Sequence, residues 1–325
     1  MPRNPKCFFN NTVLEITSSV QEGLPITVAA YMAVIIEGIL AAASVKYSTT
    51  ICHYIFMGNH FHMIIVVNNP ADVPNFMRYI KGELGHAINN LLGNEQKSVW
   101  VSGYDSVVLL DPAKVLDRIA YFYLNPVRAN LVEKCSEYPG VSSYRSLSSG
   151  VMHKTCKKIS RDAIPTLPMS DLSFVEQGDL ADKLLTGKGL NYTLSIFPWA
   201  FLKCFESTAK TDYRLYLKEL LSTIQDRERG YSLNRKSPVV GVHALRLEIP
   251  RRRYESKRCG VKMICMTHDL EIRKNFISWF KIQAESARKT FAAWKVGDLH
   301  LKPPPGFFAP GGILLASALL PILVG

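Results

Sequence analysis

Acidic residues are the scarcer ions in this 325-residue chain: 27 Asp and Glu stand against 39 Lys and Arg, a formal charge of +12. That balance favours polyanionic partners, nucleic acid first and an anionic membrane surface second. No two cysteines are spaced as CxxC, and the seven thiols (Cys7, Cys52, Cys135, Cys156, Cys204, Cys259 and Cys265) are scattered. The scatter and the odd count argue against a zinc knuckle and against a disulfide framework, and fit reduced thiols in a cytoplasm. The opening stretch, MPRNPKCFFNNTVLEI, lacks the apolar core of a signal peptide. Uninterrupted apolar runs of the roughly 20 residues that cross a bilayer are also missing. The apolar stretch from Leu24 to Val45 is broken by Glu37, and the tail GGILLASALLPILVG is too short. The first is expected as a buried helix opening near Pro25, and no membrane partner is expected.

What is present is a globular composition, 47% hydrophobic and 20% charged, enough for a sizeable core. Thr12 to Val20 reads as a strand, followed by the apolar helix. Residues Thr49 to Val67 are too long for one strand, and Gly58-Asn59 in their middle is a turn signal. The stretch therefore splits into antiparallel strands, Ile51 to Met57 and His60 to Val67. From Asp72 to Leu92, the residues Phe76, Met77, Ile80, Leu84, Ile88 and Leu91 recur at helical steps. Asp105 to Leu110 is a last strand. Asp111 then caps a helix that begins at Pro112 and stops near Pro126. The order β-α-β-β-α-β predicts an α+β, ferredoxin-like fold: an antiparallel sheet with helices on one face. Residues 1–145 form this domain. Residues 146–170, rich in Ser, Lys and Pro, are expected as a linker. Residues 171–325 are expected as a mostly helical C-terminal region, with helices over Leu172 to Leu185, Tyr192 to Phe205, Thr211 to Asp226 and His268 to Trp294.

His60 and His62 are two apart on a predicted strand, so their imidazoles project to the same side while Phe61 points away. A pair so placed can chelate a divalent metal, given a further ligand; two core histidines are the plainer reading. Tyr121 and Asn125, four apart, share a helical face. A phenol can serve as a covalent nucleophile, and an amide carbonyl can serve a hard metal. A Tyr/Asn pair at this spacing is more often a packing detail. Tyr123 lies about 200° round the helix from Tyr121 and is expected in the core.

MGNHFHMII, then YFYLNPVRANLV, then EYPGVSSYRS closely resemble, in that order, the single-tyrosine HUH transposases, nearest the REP-associated tyrosine transposase branch. The likeness covers residues 1–145. It also touches Ala287 to Pro310, which resembles the C-terminal signature of longer members. Gly58 stands where the family usually has proline, and Tyr123 where histidine is common. The resemblance implies that His60 and His62 are metal ligands and that Asn125 is the third, where relatives often have glutamine. It implies that Tyr121 is the nucleophile and that the ion is Mg²⁺ or Mn²⁺; the ligand set alone leaves the metal open, since histidines suit softer ions. It further implies cleavage and rejoining of single-stranded or hairpin DNA through a 5′-phosphotyrosine, by a monomer or a homodimer. Arg128 and Arg145 flank the site region, and Arg251, Arg252 and Arg253 form the densest basic run. These are the candidate DNA-binding residues, with a solvated loop as the alternative for the run. Two other classes remain beside this one. A metal-dependent hydrolase would keep its activity without the Tyr121 hydroxyl, and a domesticated binding module would hold hairpins without cutting them.

Overall fold

The computed structural model describes residues 6–23, 25–93, 98–168, 172–205, 212–248 and 263–308. The first half runs β1 (Thr12–Ser19), α1 (Ala30–Lys46), β2 (Thr49–Met57), β3 (His60–Val67), α2 (Asp72–Leu92), β4 (Asp105–Leu109) and α3 (Pro112–Tyr123). The sheet order is β2-β3-β1-β4, every neighbour antiparallel. This is the ferredoxin-like arrangement expected from the order of the elements. The Gly58-Asn59 pair makes the two-residue connection between β2 and β3. Asp111 caps α3, its Oδ1 accepting from the Lys114 N–H at 2.6 Å. Pro112 sits at the helix start, where its missing N–H costs nothing.

The two faces of the sheet serve different helices. Leu14, Ile16, Phe61, Met63, Ile65 and Val67 pack with α1 and α2 in one core. The alternate residues Val13, Ile55, Ile64, Val66 and Leu109 pack with α3 in a second core. The expected pair of helices shares one face, and the tyrosine-bearing helix covers the other.

The apolar segment after Pro25 is explained by what surrounds it. Helix α1 buries ten of its residues, with no polar stripe, which marks a helix enclosed by protein. The sheet and α2 cover one side. The other side is covered by a hairpin of β5 (Met152–Ile159) and β6 (Gly189–Ile196) and by helix α5 (Phe174–Thr186). The backbone of β5 comes so close to Gly38 that a methyl group there would lie 2.1 Å from the Lys157 carbonyl oxygen. Among the described residues, no helix is long and apolar enough to cross a membrane.

Two expectations for the second half give way here. Residues 146–170, read as a linker, contain β5, which packs on α1 and buries Cys156 and Ile159. Residues 192–205, read as helical, are instead strand β6 followed by a 3-10 turn at Ala200–Cys204. Pro198 stands between them and forbids a continuous helix. Three further helices follow, α6 (Tyr213–Leu233), α7 (Val242–Arg246) and α8 (Leu270–Lys295). A two-residue strand, β7 (Cys265–Met266), extends the sheet in parallel beside β4. Trp294 is buried in α8, and its indole N–H donates to the Leu301 carbonyl at 2.8 Å.

The free edge of β2 is occupied. Phe56 N–H donates to the Val141 carbonyl at 2.9 Å, Ser143 N–H to the Tyr54 carbonyl at 3.0 Å, and Phe197 N–H to the Ile51 carbonyl at 2.9 Å. The Tyr138 hydroxyl donates to the Phe56 carbonyl at 2.7 Å. The EYPGVSSYRS motif thus works as a clasp along this edge.

Gly38→Val should undock the hairpin from α1. Overpacking of this kind costs about 1–3 kcal/mol, to be read as a lowered denaturant midpoint; an unchanged midpoint would show that β5 does not bear on α1 as described.

Candidate active site

Strand β3 enters its second core with His60 and His62, whose ring centroids are 4.9 Å apart. The shared face follows from strand geometry, since residues i and i+2 project together. His62 is 7% exposed and stacks on Phe122 of α3, centroids 4.8 Å apart. Each ring is held through Nδ1. His60 Nδ1 lies 2.7 Å from Asn59 Oδ1, an acceptor, so Nδ1 carries the proton. His62 Nδ1 lies 2.9 Å from Thr17 Oγ1 and 3.8 Å from the Glu15 carboxylate. Neither Nε2 makes a hydrogen bond among the described residues, which leaves both atoms open to a ligand. Burial pushes His60 down to about 4. Burial first, then His60, Arg118 and Arg128, hold His62 well below the usual imidazole range. Both rings are therefore neutral at pH 7.

Tyr121 lies in the last turn of α3. Its ring stands edge-on to His62, centroids 6.0 Å apart. Two guanidinium groups lie over the ring, Arg118 at 4.0 Å and Arg128 at 4.5 Å. The Tyr121 hydroxyl bonds to no described residue and is not among the sealed polar atoms, so it faces solvent. Arg118 is fixed: its Nε and Nη2 donate to the two oxygens of Glu15, each at 2.6 Å. Such a two-point contact sets orientation as well as charge. Arg128, in contrast, is exposed.

Asn125 opens a four-residue helix, α4 (Asn125–Arg128), after the break at Leu124. Its Oδ1 accepts from Arg128 at only 3.5 Å, and its buried Nδ2 has no hydrogen-bond partner. The Oδ1 is thus weakly engaged. Among the described residues, no group of three or more His, Cys, Asp or Glu could hold a metal ion. A cation here would rest on the two imidazoles, with the Asn125 amide, water or a phosphate oxygen completing its shell. Neutral, desolvated imidazoles with free Nε2 atoms fit that role.

The structure therefore brings His60, His62, Tyr121 and Arg128 into one neighbourhood, with Asn125 beside Arg128. Arg145 is exposed on the 3-10 turn Tyr144–Ser146 and makes no described contact with the pair. Arg251, Arg252 and Arg253 lie outside the described residues. Three residues of the site escaped the sequence reading: Glu15, Thr17 and Arg118. The placement of each carried a local signal, whereas the pairing of Glu15 with Arg118 did not. Glu15 and Thr17 alternate with the apolar residues of β1, on the face that carries Val13. Arg118, three residues before Tyr121, shares its helical face.

Behind the site, Tyr123 is buried as expected. Its hydroxyl lies 2.9 Å from His53 Nδ1 and 2.9 Å from Ser143 Oγ, and His53 Nε2 lies 2.8 Å from the Pro198 carbonyl. Because a carbonyl can only accept, His53 carries its proton on Nε2, and Tyr123 donates to Nδ1. Burial holds His53 down to about 3.

With these geometries in view, three comparisons with known proteins are informative. Residues 27–112 match the family model described as "Transposase IS200 like". The match spans the histidine strand and stops before Tyr121. A solved structure described as the REP-associated tyrosine transposase bound to a REP hairpin is similar over 46% of this chain and 87% of its own, at 18% identity and a TM-score of 0.40. No curated protein matches. Residues 27–112 are thus similar to the IS200-like transposases.

The three buried imidazoles give the fold an acid limit. An unfolded histidine titrates near about 6.5, whereas these rings titrate lower in the folded state. Between those values the unfolded chain binds more protons, so stability present above about pH 6.5 drains away as the pH falls. Denaturant midpoints should drop steadily from pH 7 to pH 4. A flat profile would mean that the rings are not desolvated. Tyr123→Phe should cost about 1–3 kcal/mol by orphaning His53 Nδ1, measured by the same unfolding.

Proposed function

We propose that the chain is a DNA transposase that cuts and rejoins single-stranded, hairpin-associated DNA, with Tyr121 as its covalent nucleophile. The observation that carries this reading is the convergence on one sheet face of two neutral imidazoles, each with a free Nε2, and a solvent-facing phenol at 6.0 Å from the inner ring. A pair of merely structural histidines would have no need to leave both Nε2 atoms bare.

His60 and His62 would hold a divalent ion, Mg²⁺ or Mn²⁺, with Asn125 as the third protein ligand. When bound, such an ion polarises the scissile phosphate and neutralises charge growing on its oxygens. The remaining work falls to this chain's own residues. The Tyr121 oxygen attacks phosphorus and loses its proton to water. The bond from phosphorus to the 3′-oxygen breaks, and that oxygen leaves as a hydroxyl after taking up a proton. The product is a 5′-phosphotyrosine, which keeps the phosphodiester energy for rejoining without ATP. Arg118 and Arg128 lie where charge builds on the phenol and the phosphate, and Glu15 holds Arg118 in place. Preorganised cations of this kind stabilise a charged transition state without reorganisation at the moment of reaction. His62 and Tyr121 meet within a single chain, an arrangement that supports a monomer or a homodimer keeping this pairing within each copy. The partner is single-stranded or hairpin DNA and the setting is cytoplasmic.

Purified protein incubated with labelled hairpin DNA and Mn²⁺ should yield an SDS-resistant adduct. Tyr121→Phe should abolish it, and His60→Ala or His62→Ala should reduce it sharply. Arg118→Gln should slow adduct formation about a hundredfold, the scale for removing one preorganised donor, with DNA binding little changed. Cleavage that survives Tyr121→Phe would instead identify a metal-dependent hydrolase. Hairpin binding without cleavage in added metal would identify a binding module.

A further inference from the structure

A second concavity, about 700 Å³ in volume, lies between α1, α5 and α7. Its position relative to the active site is fixed by backbone hydrogen bonds on two sides. Ile26 N–H, just before α1, donates to the Gly58 carbonyl at 3.0 Å, in the turn that leads into His60. On the other side, Val240 and Gly241 N–H donate to the Asn130 and Leu131 carbonyls at 3.0 and 2.9 Å. Helix α7 therefore starts from the loop that directly follows Arg128. The cavity sits between the histidine turn and the continuation of the tyrosine helix.

Its lining has a defined chemistry. Ala30, Ala33 and Val242 give flat apolar walls. Phe174 presents a ring that is 41% exposed, with His243 edge-on to it at 5.1 Å. Gln177 is 4% exposed; its Nε2 donates to the Leu172 carbonyl at 3.1 Å, and its Oε1 is neither bonded to a described residue nor sealed. Among the described residues, Arg246 is exposed and pairs with no carboxylate, and the lining includes no Asp or Glu. An apolar slot with an aromatic wall, one amide acceptor and an unpaired cation suits a flat heterocycle attached to a phosphate.

We propose that this cavity binds one unpaired nucleotide of the DNA strand engaged at His60 and Tyr121. The base lies against Phe174 and the α1 alanines, and its phosphate faces Arg246. The proposal rests on the DNA-transposase reading and adds to it a nucleotide site built largely from elements beyond the matched family segment. Gly178 offers a clean probe. It lines the cavity from within α5, and a side chain started there meets nothing within 4 Å. A large residue at this position fills the cavity without straining the helix.

The test uses the full chain and hairpins selected from a pool with randomised single-stranded flanks, each flank position then being replaced in turn by an abasic residue. One position should weaken wild-type binding about tenfold, within the range for loss of one stacked base. Gly178→Trp, with its melting temperature retained, should bind intact DNA as weakly as the wild type binds that abasic DNA, and should ignore the replacement. Where tryptophan prevents folding, Gly178→Leu must give the same loss of discrimination, and Arg246→Gln, which removes the phosphate contact, must weaken binding of intact and abasic DNA alike. A flat abasic scan while the wild type still forms its tyrosine adduct overturns the pocket and leaves the active-site reading standing. So does a folded cavity-filled variant that discriminates like the wild type. Selection of no hairpin, together with no adduct, fells the DNA reading and the pocket with it.

Discussion

The buried contact between Glu15 and Arg118 organises this molecule's chemistry. A carboxylate on the middle of a sheet face is costly unless it is fully paired. Here it is met by both nitrogens of one guanidinium fork, each at 2.6 Å. The worth of such a pair lies in geometry more than in net stability, because desolvating two ions consumes most of their attraction. What the geometry accomplishes is specific. It fixes the rotation of α3 on the sheet, and so sets Phe122 against His62 and Tyr121 beside it. It also holds a cation 4.0 Å from the Tyr121 ring. The same carboxylate lies 3.8 Å from His62 Nδ1, so one acid orients both the phenol side and the imidazole side of the site.

A second constraint is the enclosure of α1. Its apolar surface, interrupted by Glu37, needs more cover than one sheet and one helix provide. The β5–β6 hairpin and α5 complete the cover. Gly38 is small because the strand backbone passes against it. The C-terminal half is therefore packed into the domain's core and forms one wall of the cavity between α1, α5 and α7.

How much of this could be read in advance depended on the range of the interactions. The Gly58-Asn59 turn, the Asp111-Pro112 helix start and the stripe of α2 are local signals, and they placed β2, β3, α2 and the start of α3 closely, whereas α1 opens at Ala30 and not near Pro25. The parallel projection of His60 and His62 follows from strand geometry alone. The strand β5 was illegible because it is half exposed and lysine-rich, MHKTCKKI, and only its partner β6 and helix α1 make it a strand. Residues 192–205 carry apolar positions that suit a helix as well as a strand, and the choice is settled by pairing with β5 and by Pro198. Arg118 escaped for the same reason. Its partner Glu15 is 103 residues away, and no local pattern announces an ion pair across that distance.

The clasp along β2 has a consequence for how copies of this chain can meet. An open strand edge is the cheapest route by which two identical sheets fuse into one. At β2 that route is closed, because residues 141–143 and Phe197 already take up its outward-facing backbone groups. The opposite flank offers β7, only two residues long, too brief a template for a stable seam. Among the described residues, the histidine-bearing sheet therefore offers little backbone for joining a second copy, and contacts made elsewhere can change without disturbing it.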